Sequence, residues 1–287
     1  MVQSSGILPI AKSSFEVKEW VLPQSGFEGW FLPGQGEPYA DCGMFWYRGC
    51  LHVEDHEQDG LFEEFHHKVY VKRVKRTCAR AVCPTCYESW AGKEAGKIEW
   101  RLKAWTGRGQ AIHLVVSVPQ RLWWKPISEL RVEAYKWAKR GGFIGGSCIP
   151  HPFRESEDGR WYFSPHFHLI GFGWIRNADK IYEESGWIVH NEGVRESVFH
   201  TALYQLSHAG VHEKKHTVTW FGALSYNKLR CPPVPEKESD RCPLCGRELV
   251  ELRWVGEGDP PDVEEEFYWD VGGWVEAPKK FLVFAYD

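Results

Sequence analysis

The chain has 287 residues, of which 43% are hydrophobic, and a formal net charge of −4 at pH 7. This composition is enough for a folded core in one large or two smaller domains. The sequence contains no apolar run of about 18 residues and no secretory signal, which predicts a cytoplasmic protein without membrane spans. Nine cysteines in such a chain indicate metal binding rather than disulfides.

The first part of the sequence predicts an extended arm followed by a zinc-binding subdomain. Residues 1–41 are rich in glycine, proline and serine and indicate the arm. Residues 42–104 form the subdomain and contain nearly all of a helix predicted over 87–105. Its cysteines include a Cys-x-x-Cys pair, a spacing at which two thiolates bind one Zn²⁺. We expect four of these five cysteines to bind zinc: Cys42, Cys50, Cys78, Cys83 and Cys86.

Residues 105–230 are predicted to form the catalytic domain. The hydrophobic pattern indicates a strand over 111–119 and an amphipathic helix over 126–140. A hairpin follows, and then a helix over 196–209 and a strand over 217–226. This order predicts an α+β fold with an antiparallel sheet flanked by helices.

The predicted hairpin brings three histidines together. His166 and His168 alternate along one strand, so their side chains share a face. A turn at Asp158-Gly159 places His151 directly opposite His166, on the same face. Three adjacent imidazoles are typical of a divalent-metal site. Prolines at positions 150 and 152 predict an edge or an irregularity there.

The helix after the hairpin contains a candidate nucleophile. Tyr204, Ser207 and His208 lie three or four residues apart and therefore share one helix face. The ordinary alternative is a tyrosine whose ring is buried and whose hydroxyl alone reaches water.

A second cysteine group follows in residues 231–255, which are predicted to form a C-terminal zinc knuckle. Its members are Cys231, Cys242 and Cys245. The fourth ligand is open at this stage: His212, His216 or one N-terminal cysteine would complete the site. A redox-active cysteine pair is the competing interpretation, but the usual βαβ setting is missing. Residues 256–287 form an acidic and then aromatic tail.

Charge is unevenly distributed along the chain. Between Lys68 and Arg140 there are 17 lysines and arginines against 5 acidic residues. A basic block that also contains aromatic residues is typical of a surface for unpaired nucleic acid. The alternative is a set of solvated helix faces balanced by acidic neighbours. The tryptophans in the block are Trp90, Trp100, Trp105, Trp123, Trp124 and Trp137.

Several of these segments resemble the motifs of one superfamily. Segment 112–117 (IHLVVS) resembles its first motif, and 165–169 (PHFHL) matches its His-hydrophobe-His motif. Segment 204–208 (YQLSH) stands where its tyrosine helix is expected, and 78–95 resembles a zinc segment of its archaeal branch. Over roughly residues 42–250 the chain is similar to rolling-circle replication initiators (Rep proteins) of the HUH endonuclease superfamily, as found in archaeal plasmids and viruses.

The resemblance implies an HUH fold, related to the ferredoxin and RRM folds, with zinc-binding insertions. It implies site-specific nicking and joining of single-stranded DNA at a replication origin, with Tyr204 forming a 5′-phosphotyrosine. His151, His166 and His168 would hold Mg²⁺ or Mn²⁺, and one or two zinc ions would be structural. The metal, His208 or a bound water would assist the tyrosine. Tyr226 is the reserve nucleophile.

Two differences from related proteins concern the tyrosine helix and the implied partners. Many members carry a lysine three residues after the tyrosine, where this chain has Ser207. The nucleotide-binding pattern G-x-x-x-x-G-K-[ST] is missing from the sequence. A host helicase and a DNA polymerase are therefore the implied partners, besides origin DNA.

Three other functions remain open. The chain has the features of an HUH relaxase or transposase, which shares the chemistry. It also fits a zinc-containing DNA-binding regulator that does not cleave, with the histidines as a third zinc site. Finally, His151, His166 and His168 suit a catalytic zinc that hydrolyses a small substrate.

Overall fold

Two five-stranded antiparallel sheets form the framework of the protein, as seen in a computed structural model. No helix in the described ranges is long and apolar enough to cross a membrane. The described residues are 29–56, 68–157, 159, 161–233, 240–261, 266–270 and 272–278. The strands are β1 (Phe45–Cys50), β2 (Lys68–Lys75), β3 (Ile112–Ser117), β4 (Phe143–Glu155), β5 (Trp161–Gly173), β6 (Ile188–Val194), β7 (Thr219–Gly222), β8 (Val250–Trp254), β9 (Glu266–Asp270) and β10 (Trp274–Glu276). The helices are α1 (Val53–His56), α2 (Tyr87–Lys103), α3 (Ile127–Arg140), α4 (Ala178–Ser185) and α5 (Val198–Ser207).

The second sheet has the order β6–β3–β5–β4–β7 and separates two apolar layers. On one face, Phe167 and Leu169 of β5 pack in a buried cluster with α3. On the other face, Ile170 and Phe172 pack in a cluster with α2 and α5. Because side chains alternate along a strand, the even-numbered histidines of β5 lie under α2 and α5. The predicted α+β fold with an antiparallel sheet is confirmed.

The predicted register of the β4–β5 hairpin is confirmed. His151 pairs with His166, and Ile149 pairs with His168. The register shifts between His151 and Phe153, so the predicted irregularity falls at Pro152. Proline lacks an amide hydrogen for the ladder and favours such a bulge.

The predicted helices form with slightly shorter ends, and one strand is much shorter than predicted. α2, α3 and α5 lie within the ranges predicted for them. β7 covers only Thr219–Gly222 of the predicted strand 217–226. Gly222 has a φ of +63°, a left-handed conformation that favours glycine, and the strand ends there.

The first sheet joins segments that are far apart in sequence. Its order is β10–β8–β1–β2–β9, and β1 pairs with both β2 and β8. The predicted units 42–104 and 231–255 therefore share one sheet. The sequence between β2 and β8 contains the entire second sheet.

The described part of the predicted arm is packed against the protein. Residues 1–28 lie outside the described residues. Trp30 is buried, and Phe31 forms an antiparallel bridge to Val211. The amides of Gly34 and Gly36 donate to carbonyls of the cysteine-rich loop, at 2.9 and 2.7 Å. This segment thus bridges the loop and the chain after α5.

Two glycines should respond in opposite ways to substitution by alanine. A Cβ on Gly171 would lie 2.2 Å from the carbonyl oxygen of Gly145, so Gly171→Ala must separate β4 from β5. We expect a loss of about 1–3 kcal/mol in the free energy of unfolding, measured by urea denaturation. Gly92 lies inside α2 with no atom within 4 Å of an added Cβ, and Gly92→Ala should add about 0.5–1 kcal/mol. A Gly171→Ala protein as stable as the wild type would contradict the close approach.

Candidate active site and metal centres

Four cysteines form the first candidate metal centre, here called the knuckle cluster: Cys42, Cys78, Cys83 and Cys86. The Cys42 Sγ lies 3.5 Å from that of Cys83 and 3.2 Å from that of Cys86. Four thiolates about 2.3 Å from one Zn²⁺ have comparable separations. This cluster can therefore hold a structural metal such as zinc, and four of the five cysteines in the N-terminal group assemble as predicted.

The second candidate metal centre, here called the sheet cluster, combines residues from two segments that are far apart in sequence. It consists of Cys50, His56, Cys242 and Cys245. The Cys50 Sγ lies 3.6 Å from that of Cys245, and His56 Nε2 lies 3.3 Å from Cys50 Sγ and 3.4 Å from Cys242 Sγ. His56 Nδ1 is 3.0 Å from the Lys68 carbonyl, which fixes the ring with Nε2 toward the thiols. This cluster also fits zinc.

The prediction that Cys231 belongs to this second site is wrong. Arg101 Nη1 donates to the Cys231 Sγ at 3.4 Å. The same guanidinium donates to the carbonyls of Leu224 and Leu229. Cys231 thus lies beside a buried arginine of α2, and Cys50 takes its place because β1 pairs directly with β8.

Of the alternatives left open for this site, the N-terminal cysteine is confirmed as Cys50, and neither predicted histidine takes part. His212 packs edge-on against Trp30, with ring centroids 5.2 Å apart. The His216 carbonyl accepts a hydrogen bond from Arg131. Sequence reasoning missed His56, although its position six residues after Cys50 was the available signal.

Three histidines of the hairpin form the third centre, the histidine cluster: His151, His166 and His168. One ring nitrogen from each lies within 4.8 Å of the others. Their exposed fractions are only 1%, 6% and 9%. The hairpin therefore assembles the three residues in the way the strand periodicity predicts.

Neighbouring groups orient two of the three rings. His166 Nδ1 donates to the Ser164 carbonyl at 2.8 Å, which leaves the Nε2 lone pair available. His168 Nδ1 lies 2.8 Å from Nε2 of His113, a buried residue of β3. When His168 donates in this contact, its own Nε2 is also a free ligand. His113 thus supplies the outer support that metal-binding histidines require, a role that sequence reasoning missed.

His151 has no such support, which makes it informative. Both of its ring nitrogens are buried without a hydrogen-bond partner in the protein. The backbone of Gln205 approaches the ring without making a well-formed bond. Buried polar groups are almost always paired, so an unpaired imidazole beside two others favours a bound cation.

Burial keeps the cluster uncharged. Desolvation, reinforced by the Arg154 charge, lowers the pKa of His166 to about 3. Burial and the neighbouring rings lower the pKa values of His151 and His168 well below the ordinary 6.5. Neutral imidazoles present lone pairs at pH 7, and an all-imidazole set suits transition metals better than Mg²⁺.

Tyr204 reaches this centre through His208. The Tyr204 side chain is 67% exposed, so the alternative of a buried ring with only its hydroxyl in water is wrong. Its ring centroid lies 4.8 Å from that of His208, which in turn lies 4.6 Å from that of His151. Burial lowers the pKa of His208 to about 4, so this imidazole is neutral at pH 7.

Ser207 lies against His208 at the end of α5. Its hydroxyl donates to the Tyr204 carbonyl at 2.8 Å and lies 3.3 Å from His208 Nδ1. The reserve nucleophile Tyr226 is elsewhere: Arg101 lies over its ring at 4.6 Å, and it is not among the residues that line the cleft described next.

A cleft of about 750 Å³ opens onto the histidine cluster and Tyr204. Pro84 and Tyr87, next to the knuckle cluster, form one wall with segment 32–35. Arg154, Trp161 and Tyr162 from the hairpin also line it. The cleft therefore brings together the guanidinium group of Arg154, aromatic rings, the candidate nucleophile and the candidate metal site.

Several residues of the basic block are paired with acidic side chains or with backbone carbonyls. Ion pairs join Lys72 to Asp240 and Lys125 to Glu133, at 3.3 and 2.6 Å. Arg101 is buried against backbone carbonyls. Of the six tryptophans in the block, Trp124 is exposed at 58%, and the others are partly buried. The solvated, balanced alternative therefore accounts for part of this block.

No protein family, curated protein or solved structure matches this chain.

The two cysteine clusters lead to a prediction on metal content. Cys86→Ser and His56→Ala should each lower the zinc content by about one ion per chain, because each removes a ligand from a different cluster. Cys231→Ser is the matched control and should lower it by none. Elemental analysis by mass spectrometry of the purified proteins measures this. Loss of an ion in Cys231→Ser would contradict the ligand assignment.

Buried neutral histidines also predict a pH effect on stability. The pKa of His208 is about 4 in the folded protein, compared with 6.5 ordinarily. Below pH 6.5 the unfolded chain therefore binds the proton first, and stability falls as the pH is lowered toward 4. His208→Gln should reduce this slope by about 1.4 kcal/mol per pH unit.

Urea denaturation between pH 7 and 4.5 measures the difference in slope between the wild type and the variant. The exposed His200 on the same helix provides the control, since His200→Gln should leave the slope unchanged. Equal slopes for the wild type and His208→Gln would contradict the burial of His208.

Proposed function

We propose that the protein is a rolling-circle replication initiator of the HUH type, which nicks and rejoins single-stranded DNA through a covalent link to Tyr204. One observation carries this proposal: an exposed tyrosine contacts a partly buried, neutral histidine, which itself contacts a three-histidine cluster. A nucleophile, a proton acceptor and a metal site then follow one another in a single cleft.

The histidine cluster fits a divalent ion. His151 has two unpaired buried nitrogens, and His166 and His168 are oriented by outer hydrogen bonds. These three residues would hold Mg²⁺ or Mn²⁺, of which Mn²⁺ suits imidazole ligands better. A bound ion would supply Lewis-acid stabilisation of charge on the reacting phosphate.

The chain's own residues supply the nucleophile and move the proton. A phenol is a weak nucleophile while it keeps its proton. His208 is neutral and accepts the proton as the Tyr204 oxygen attacks phosphorus. A bond forms between Tyr204 and the 5′ phosphate, the bond to the 3′ oxygen breaks, and the proton passes to that oxygen. The reverse reaction rejoins the strand, since the bond energy is kept in the phosphotyrosine.

The walls of the cleft suit an unpaired strand. Arg154 lies beside His166 and donates to Ser117 Oγ at 2.9 Å, so its guanidinium is held where a phosphate would approach. Trp161 and Tyr162 line the same cleft and offer ring faces for stacking with bases. The free 3′-hydroxyl would prime a separate polymerase, and a separate helicase would open the duplex.

The composition of the histidine cluster supports a second candidate. Three buried neutral imidazoles also suit zinc. If the cluster holds a third structural zinc and no catalytic ion, the protein would be a DNA-binding regulator. That candidate predicts DNA binding without cleavage. A relaxase or transposase shares the chemistry and differs in the DNA that it joins.

A nicking assay tests the proposal. The protein is incubated with Mn²⁺ and a pool of random single-stranded oligonucleotides, and covalent adducts are resolved on denaturing gels. Labels at the 3′ end should become attached to the protein and labels at the 5′ end should not, because a 5′-phosphotyrosine retains the downstream fragment. Tyr204→Phe should abolish the adduct.

Tyr226→Phe is the matched control, since Tyr226 is equally exposed but lies outside the cleft, and it should form the adduct at the wild-type level. An adduct that persists in Tyr204→Phe and disappears in Tyr226→Phe would transfer the role to Tyr226. Binding without an adduct under any divalent metal would leave the regulator.

A further inference from the structure

Gln205 is an unusual residue for its position on α5. The inward face of this helix packs against α2 and β5 through small and aliphatic side chains, among them Ala202 and Leu206. Gln205 lies on that face and is only 5% exposed. An amide at such a position is unfavourable unless its polar atoms are paired.

The Gln205 side-chain oxygen has no partner in the protein. Oε1 is buried and accepts no hydrogen bond. His151, with both ring nitrogens unpaired, lines the same cleft as Gln205. Two buried groups with free lone pairs in one place indicate a shared partner that carries positive charge or donates hydrogen bonds.

We infer that Gln205 Oε1 is an additional donor to the ion held by the histidine cluster, either directly or through a water bound to that ion. The inference rests on the proposed function, because it takes the histidine cluster as a metal site. An amide oxygen is a harder ligand than imidazole, so its addition moves the site toward Mn²⁺ among the divalent metals. Gln205 adjoins Tyr204 in sequence, and the ion thereby ties the tyrosine helix to the hairpin.

Mn²⁺ binding in the absence of DNA tests this inference by isothermal titration calorimetry. The thiolate clusters select zinc over Mn²⁺, and His168→Ala identifies the heat that belongs to the histidine cluster. Gln205→Leu should weaken Mn²⁺ binding by about 10–100-fold, the range found when groups supporting a metal site are removed. Gln205→Glu should bind Mn²⁺ as tightly as the wild type or more tightly, because it keeps the oxygen and adds charge.

Gln35→Leu provides the matched control. Gln35 lines the same cleft but is exposed, so this change should leave the Mn²⁺ affinity unchanged. Thermal denaturation monitored by circular dichroism shows whether each variant is folded. If Gln205 has no role at the ion, Gln205→Leu should bind Mn²⁺ as tightly as the wild type and be at least as stable, and that result would overturn the inference.

The outcomes also separate this inference from the proposed function. Wild-type affinity in Gln205→Leu, together with a Tyr204-dependent adduct, would overturn the role of Gln205 alone. Mn²⁺ binding that depends on Gln205, in a protein that forms no adduct, would support the ligand role and overturn the nicking function. Mn²⁺ binding that His168→Ala does not alter would overturn both the inference and the proposed metal site.

Discussion

The pairing of β4 with β5 is the constraint on which the candidate site depends. This ladder places His151 opposite His166 and leaves His168 on the same face. A slip of one residue would turn the histidines toward the layer packed against α3. The register is held where glycines let the strands approach, because a Cβ on Gly146 or Gly171 would meet backbone atoms of the facing strand. Strand pairing thus decides whether the three histidines come together.

The rest of the architecture positions partners around that hairpin. α5 ends above the cluster, so that His208 contacts both His151 and Tyr204. β3 supplies His113 from the other side, behind His168. The knuckle cluster lies beyond the cleft and supports the wall that contains Pro84 and Tyr87. Each of these elements brings one chemical group to a site built on the hairpin.

Local signals in the sequence predicted the elements and the histidine cluster well. A period-2 pattern and an Asp-Gly turn are enough to give the register of a hairpin, and helix periodicity gives α2, α3 and α5. Long-range pairing was harder to predict. The exchange of Cys231 for Cys50 and His56 depends on β1 pairing with β8 across most of the chain, and no local pattern encodes that contact. The contact between His168 Nδ1 and His113 Nε2 likewise depends on β3 lying beside β5.

The sheet cluster also sets an order of events during synthesis. Cys50 and Cys245 are separated by 195 positions in sequence, and a ribosome adds about 5–20 residues per second. Cys50 and His56 are therefore made about 10–40 seconds before the last member of the cluster, and the whole second sheet emerges in that interval. During that interval β1 has an unpaired edge where β8 will lie, and such edges invite pairing with other chains. A zinc ion bound by Cys50 and His56 alone would lack the two ligands from Cys242 and Cys245. The pairing of β1 with β8 therefore belongs to the last stage of folding.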